Sequence, residues 1–295
     1  MQELLGEPLR LPIEQAVAAH IGRPWQVRNY RDLNDLSSHP AAILSDGVYA
    51  VFAKLSNAAN RLEQFTVEVA GLQRLHQSSG VLTPTQIALL ETGQGVIMLQ
   101  EAVQTVERTT RQWQQIGESL ARIHHVHGQR FGLETQGYFG PLYQDNRPLD
   151  DWATFYAERR LWPRLMSAID AGHLPSSLIR QLEKLIARLP DLCGPQVYPT
   201  LLHGDAQQNN YISSAQGAVV IDPAVYYGHP EIDLAYLDYF QPVPDAVFNG
   251  YRSILPIDPG FGQRRDLWRI YGYLAIVTLD ASYLDRLSAC VRSYL

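Results

Sequence analysis

Apolar and polar positions follow two different rules along this chain, and the change comes near residue 100. Residues 12–21 read as a short helix, with Pro12 in its first turn and Gly22 closing it. Residues 48–54, VYAVFAK, are short, aliphatic and aromatic, and follow the turn pair Asp46-Gly47. They predict a strand entered through a hairpin. In residues 60–76, Leu62, Phe65, Val69, Leu72 and Leu75 recur at intervals of 3, 4, 3 and 3, the stripe of an amphipathic helix. Residues 88–90 and 96–99 flank the turn 91–95 and predict a second hairpin. Strand signals then stop for about a hundred residues, and helical spacing takes over. One helix carries Trp113, Ile116, Leu120, Ile123 and His124. Another carries Leu178, Leu182, Leu185, Ile186 and Leu189, with Ser176 or Ser177 as its cap and Pro190 as its stop. The pattern predicts an α+β protein divided into residues 1–100, mixed sheet and helix, and residues 101–295, mainly helical.

The helical stripe contains one anomaly. Glu68 lies three residues after Phe65 and four before Leu72, on the apolar face. A carboxylate among core residues is costly unless a cation meets it, and Lys54, on the preceding strand, is the nearest candidate. The alternative is that Glu68 sits at the edge of the stripe and reaches water.

Composition narrows the classes of function. The 295 residues are 46% hydrophobic and 18% charged, which excludes a disordered or fibrous chain and suits one or two domains. A net charge of −6 disfavours a polyanion as partner, so no nucleic acid is expected. No apolar run approaches the ~20 residues of a membrane span, and the N-terminus has no signal-peptide pattern. Cys193 and Cys290 form no metal or redox motif, as expected of reduced thiols in the cytoplasm.

Residues 201–238 carry the chemistry. They contain H-x-D-x-x-x-x-N as His203, Asp205 and Asn210, with Asp222 twelve residues beyond the Asn. Tyr211-Ile212 and residues 218–221 predict two strands about the polar turn 213–217. That hairpin returns Asn210 and Asp222 to one end, where both can reach one metal ion. Phosphoryl transfer needs such a set, because charge on the β- and γ-phosphates must be neutralised and a nucleophile held in line. Mg²⁺ takes few protein ligands, typically oxygens of carboxylates and amides. Asn210 and Asp222 fit that role, leaving Asp205 to take the proton of an attacking hydroxyl. Taken alone, H-x-D-x-x-x-x-N could be a polar loop beside an unrelated hairpin; the Lys-bearing strand and Glu-bearing helix upstream argue otherwise.

At these residues the chain resembles the protein-kinase-like small-molecule kinases, and among them the fructosamine (ketosamine-3) kinases. His203-Gly204-Asp205 is shared with aminoglycoside and choline kinases, whereas residues 137–165, 221–235 and 248–261 are similar to the ketosamine kinases specifically. The resemblance runs from about Lys54 to about Tyr273. It implies a two-lobed fold with ATP and Mg²⁺ between the lobes and a small-molecule acceptor, a fructosamine or ribulosamine before others. Carried onto this chain, Lys54 would bind the α- and β-phosphates and pair with Glu68. Gln100, Glu101 and Ala102 would be the connector that holds adenine. Asp205 would be the base, Asn210 and Asp222 the metal ligands, and Asp233 a brace for the catalytic loop.

Two departures stand out. The loop that covers the phosphates is glycine-rich in such kinases, because backbone amides approach the phosphates closely. Here residues 29–43 contain no glycine, and Ser37 and Ser38 are the candidates to supply contacts instead. The kinases also usually read HGDLWSGN where this chain reads HGDAQQNN, which implies a more polar or different acceptor at Ala206-Gln207. The rival readings are a kinase of another small molecule such as an aminoglycoside, and a nucleotide-binding pseudokinase. His124, His125 and His127 form an H-H-x-H cluster that lacks the Cys or carboxylate partners of a zinc site.

Overall fold

In the computed structural model, which describes residues 6–33 and 39–295, the N-terminal third is one antiparallel sheet with a helix on each face. A first helix, α1 (Glu7–Ile21), precedes strands β1 (Asn29–Asp32), β2 (Ala41–Ser45) and β3 (Ala50–Ser56). Helix α2 (Arg61–Ser79) and strands β4 (Gln86–Thr92) and β5 (Gly95–Glu101) follow. The sheet order is β1-β2-β3-β5-β4. Helix α1 starts earlier than its sequence suggests: Pro8 occupies the first turn and Pro12 lies inside, because Leu9, Ile13 and Val17 continue one buried stripe across it. That stripe packs on Ala42, Leu44, Val51, Ala53, Leu55, Ile97 and Leu99. Gly22 ends α1 in a left-handed conformation that a residue with a Cβ adopts at a cost. On the opposite face, Phe65 of α2 meets Val96 and Met98 of β5.

Beyond β5 the chain is mainly helical, as the spacing predicted, but not without strands. Helix α3 (Thr110–His124) leads to β6 (Gly137–Phe139) and β7 (Leu142–Gln144), a tight hairpin in the stretch where no strand was expected. Three-residue strands are too short for a period-two pattern to register. Helices α4 (Trp152–Phe155) and α5 (Trp162–Asp170) run into one another through a π-helical turn (Tyr156–Leu161). Helix α6 (Ser176–Ala187) has Pro175, not a serine, at its cap position, and Pro190 sits inside a one-turn helix, α7 (Leu189–Leu192).

Strand β8 (Thr200–Leu202) comes next, then the hairpin β9 (Tyr211–Ser214) and β10 (Gly217–Val220), then β11 (Tyr226–Gly228). Strands β8 and β11 pair antiparallel and close the loop that carries residues 203–225. Helices α8 (Glu231–Tyr236), α9 (Asp245–Arg252), α10 (Phe261–Leu279) and α11 (Leu284–Arg292) complete the chain. They enclose a core in which Trp152, Tyr156, Tyr211, Tyr226, Tyr236 and Trp268 are buried. Leu75 of α2 and Val81 join this second core, and Val220 donates its N–H to Leu82 at 2.8 Å. The sheet-bearing part is thereby tied to the loop that follows β8. Among the described residues no helix is long and apolar enough to cross a membrane. Cys193 and Cys290 are buried free thiols.

Candidate active site

The site is assembled from three separate parts of the chain. Lys54 lies on β3 opposite Met98 of β5, on the face that α2 covers. Its ammonium is 3.0 Å from Glu68 Oε2 and 2.8 Å from Asp222 Oδ1. Glu68 therefore does have its cation, and shares it with the carboxylate after β10. Burial alone would lower the Lys54 ammonium, but the two carboxylates outweigh it and hold it well above its ordinary value. Burial pushes the Glu68 carboxyl up to about 7, with Lys54 offsetting part of the rise. Burial also acts upward on Asp222, yet Lys54 holds that carboxyl below the ordinary carboxylate value.

The loop between β8 and β11 is folded by its own hydrogen bonds. Asp233, at the start of α8 and fully buried, accepts the N–H groups of His203 at 2.7 Å and Gly204 at 2.9 Å. His124, at the end of α3, reaches the same carboxylate through Nε2 at 3.1 Å, while its Nδ1 lies 2.9 Å from the Tyr251 hydroxyl. Gly204 has φ +82°, and a Cβ there would stand 2.0 Å from the Ala224 carbonyl oxygen. The glycine of H-G-D is thus required by both conformation and space. His203 Nε2 contacts the Ile221 carbonyl at 3.0 Å, so the histidine ties the loop to the residue before Asp222.

Asn210 Nδ2 donates to the Asp205 backbone oxygen at 2.8 Å and to its Oδ2 at 3.0 Å, and the Ile221 N–H donates to the Asn210 carbonyl at 3.0 Å. The hairpin β9–β10 does return Asn210 and Asp222 to one end. Asp222 is the only non-glycine with positive φ among the described residues, at +49°, a conformation that Asp tolerates better than most residues. Its side chain remains 46% exposed, toward the cleft. Burial pushes the Asp205 carboxyl up to about 7, partly opposed by hydrogen bonds from Asn210 and Gln207.

These side chains face one cavity of about 420 Å³. Lys54, Glu68, Asp205, Asn210 and Asp222 all line it. His39, beside β2, also lines it and packs at a tilt against Phe65, with ring centroids 5.9 Å apart. Gln64, Gln207 and Asn209 line it too, with the hairpin β6–β7 and residues Phe240, Ile276 and Leu279. The hairpin reaches α2 through Gln64, whose Nε2 donates to the Pro141 carbonyl at 3.4 Å.

Gln100, Glu101 and Ala102 do not line this cavity. The N–H groups of Glu101 and Ala102 are already bonded to the carbonyls of Thr85 and Ala50, at 2.9 and 3.0 Å. The Glu101 carboxylate accepts the Tyr49 hydroxyl at 2.6 Å. Ser37 and Ser38 lie outside the described residues. The H-H-x-H cluster is divided: His124 braces Asp233, and His125 and His127 are exposed. That brace was not visible in the sequence beyond the place of His124 on an apolar face. Gln64 and the tip Gly140-Pro141 had no local signal beyond a two-residue turn.

The sequence profile of the fructosamine kinase family matches residues 11–295. This chain belongs to the fructosamine kinase family. It is 30% identical over 266 residues to a probable ketoamine kinase of Synechocystis sp., covering 89% of this chain and 88% of that protein. It is 26% identical over 250 residues to the ketosamine-3-kinase of Mus musculus, covering 76% and 81%. A solved structure from Thermobifida fusca YX-ER1, assigned as a fructosamine-3-kinase, superposes with a TM-score of 0.83 at 30% identity, covering 96% of this chain and 98% of that one. The choline kinase of Streptococcus pneumoniae has the same kinase-like fold, with a TM-score of 0.61 at 15% identity and coverage of 96% and 98%. The protein is therefore a small-molecule kinase, and the family implies ATP as its phosphoryl donor.

Proposed function

We propose that this kinase transfers the γ-phosphoryl group of MgATP to a hydroxyl of a ketosamine, a sugar–amine adduct of the fructosamine or ribulosamine type. The observation that carries this reading is the convergence of Lys54, Glu68, Asp205, Asn210 and Asp222 on one cavity. Lys54, fixed by Glu68 and Asp222, neutralises the α- and β-phosphates. Its ammonium stays charged there, as a phosphate-binding cation must. The donor set also fits Mg²⁺: Asp222 presents an accessible carboxylate, and Asn210 commits its Nδ2 to Asp205, which leaves the amide oxygen for a cation. Mg²⁺ bound at this pair would neutralise phosphate charge.

Asp205 accepts the hydroxyl proton as that oxygen forms its bond to phosphorus; the bond to the β-phosphate oxygen breaks and ADP leaves. Asn210 orients the carboxylate by donating to it, and a carboxyl lifted toward neutrality is a better proton acceptor than an ordinary aspartate. We assign adenine to the connector Gln100–Glu101–Ala102, through groups other than the two engaged N–H donors, and assign Ser37 and Ser38 to the cover over the phosphates. Residues 1–100 then form the nucleotide-covering lobe and residues 101–295 the lobe that holds base, metal ligands and acceptor. An aminoglycoside acceptor is disfavoured, because the cavity wall away from the phosphate end holds carboxamides and apolar groups rather than an acidic groove. A cytoplasmic location fits a metabolite kinase with two reduced thiols.

The test is ADP release with MgATP across fructosamines, ribulosamines and aminoglycosides, with Asp205→Asn as the control. Turnover that depends on a ketosamine and disappears in the variant supports the proposal. Nucleotide binding without turnover on any acceptor would favour a pseudokinase.

A further inference from the structure

The cavity has two chemically different ends. One holds every charged group in its lining: Lys54, Glu68, Asp205 and Asp222. The other is built by the hairpin β6–β7, by Phe240 after α8 and by the last turns of α10. Its polar groups are the carboxamides of Gln64 and Asn209, the Tyr138 hydroxyl, and Gln207, which also hydrogen-bonds Asp205 where this end meets the charged one. The rest is apolar: Phe139, Leu142, Phe240, Ile276 and Leu279. No charged side chain among the described residues lines this second end. Asp280, the next residue after Leu279, turns away to accept the Ser282 N–H at 2.9 Å.

We infer that this second end is a subsite for an apolar, uncharged substituent on the amine of the acceptor; the inference rests on the ketosamine reading above. Carboxamides offer both donors and acceptors and suit the hydroxyls of the sugar. Beyond them, a carboxylate on the substituent would lose its hydration with no cation to meet it, and a polyamine would find no second carboxylate. An alkyl or aryl group instead gains from burial, by about fourfold in affinity for each methylene removed from water.

Two observations show that the apolar end is built rather than incidental. Its walls are held from behind. The Phe139 ring packs edge-on against Tyr271 and Tyr236, with centroids 5.3 and 6.2 Å apart. The base of the hairpin is pinned by two buried arginines: Arg160, from the π-helical turn, donates to the Asp145 carbonyl and to Asn146 Oδ1 at 2.7 Å each, and Arg164 donates to the Tyr143 carbonyl. A π-helical turn is an uncommon device, frequent near functional sites. At the mouth, Leu279 leaves 56% of its surface in water although it ends a helix whose other apolar residues are mostly buried. A substituent lying against Leu279 would cover that surface.

The experiment compares fructose adducts of methylamine, hexylamine, benzylamine and glycine as acceptors, with kcat/KM read from ADP release at saturating MgATP. The hexylamine and benzylamine adducts should exceed the methylamine adduct at least tenfold, and the glycine adduct should fall at least tenfold below it. Leu279→Lys, at an exposed position where folding is not at stake, should erase at least fivefold of the hexyl-over-methyl advantage and raise the glycine adduct by a similar factor. Equal kcat/KM for hexyl and methyl adducts, or a preference for the glycine adduct in the unaltered enzyme, overturns the subsite while leaving the ketosamine reading intact. Failure of all four adducts, with MgATP still bound, overturns the ketosamine reading and the subsite with it.

Discussion

Replacing Asp233 by Asn changes one oxygen into an amide nitrogen at a site with no solvent access. The carboxylate receives three donors, the N–H groups of His203 and Gly204 and the Nε2–H of His124, at 2.7, 2.9 and 3.1 Å. An asparagine can accept at one atom only, so a backbone N–H of the loop before Asp205 is left facing a donor. Hydrogen bonds to a charged group contribute about 1.5–3 kcal/mol each, and a buried unpaired donor costs about 1–3 kcal/mol. Two weakened bonds and one orphaned donor give a loss of about 3–5 kcal/mol. That is a large share of the ~5–15 kcal/mol total stability of an ordinary domain. Urea denaturation followed by tryptophan fluorescence should show the midpoint of Asp233→Asn falling sharply at unchanged slope. The partner variant His124→Ala should couple to it: in a double-mutant cycle the two losses should fall short of additive by about 1 kcal/mol or more. Activity should drop further than the folded fraction explains, because the same carboxylate positions the backbone just before Asp205. A loss below about 1 kcal/mol, or strict additivity with His124→Ala, would refute the brace.

Asp205→Asn should lower kcat by about 10²–10⁴ while MgATP binding, measured by calorimetry, stays nearly unchanged. Asp222→Ala should instead weaken MgATP binding itself; identical binding in the two variants would show the roles wrongly divided. Lys54→Met should abolish turnover and also destabilise the fold by about 3–5 kcal/mol, since it strands two neighbouring carboxylates, and a neutral thermal shift would contradict the shared ion pair. His229 supplies a pH test away from the site. It is buried against Trp268 with ring centroids 4.8 Å apart, and burial, reinforced by Arg264, pushes its imidazole down to about 3. Between about pH 6.5 and pH 3 the unfolded chain binds a proton that the folded chain refuses, so this group's stabilisation is lost as pH falls, by about 1.4 kcal/mol per unit. Midpoints measured from pH 7 to pH 4 should fall less steeply in His229→Asn than in the unaltered protein.

The convergence of the candidate site residues was legible in the sequence because its logic is local or is forced by charge pairing. The spacing of Asp205, Asn210 and Asp222 is set by one loop and one hairpin, whose turn residues and β-branched strands are contiguous in the chain. The pairing of Lys54 with Glu68 followed from the cost of a carboxylate on an apolar stripe, a constraint that has few solutions in a neighbouring strand and helix. The family resemblance was likewise carried by contiguous runs, and the profile match over residues 11–295 extends it beyond them.

Only the tertiary structure decided the rest. That Asp222 also shares the Lys54 cation depends on a contact 168 residues apart in the chain, and the His124 brace on Asp233 spans 109. Neither leaves a periodic trace, and His124 read alone suggested a core residue or a metal ligand. The engagement of the Glu101 and Ala102 N–H groups depends on where residues 50 and 85 fall in the sheet, which strand patterning does not determine. The less charged end of the cavity is the clearest case. Gln64, Phe139, Gln207, Phe240 and Leu279 come from a helix, a hairpin, two loops and a helix end, and each is unremarkable in its own segment. A hydrophobic pattern records which face of an element is buried. It carries no record of which distant faces converge, because that is decided by long-range packing, and a cavity exists only where such faces meet.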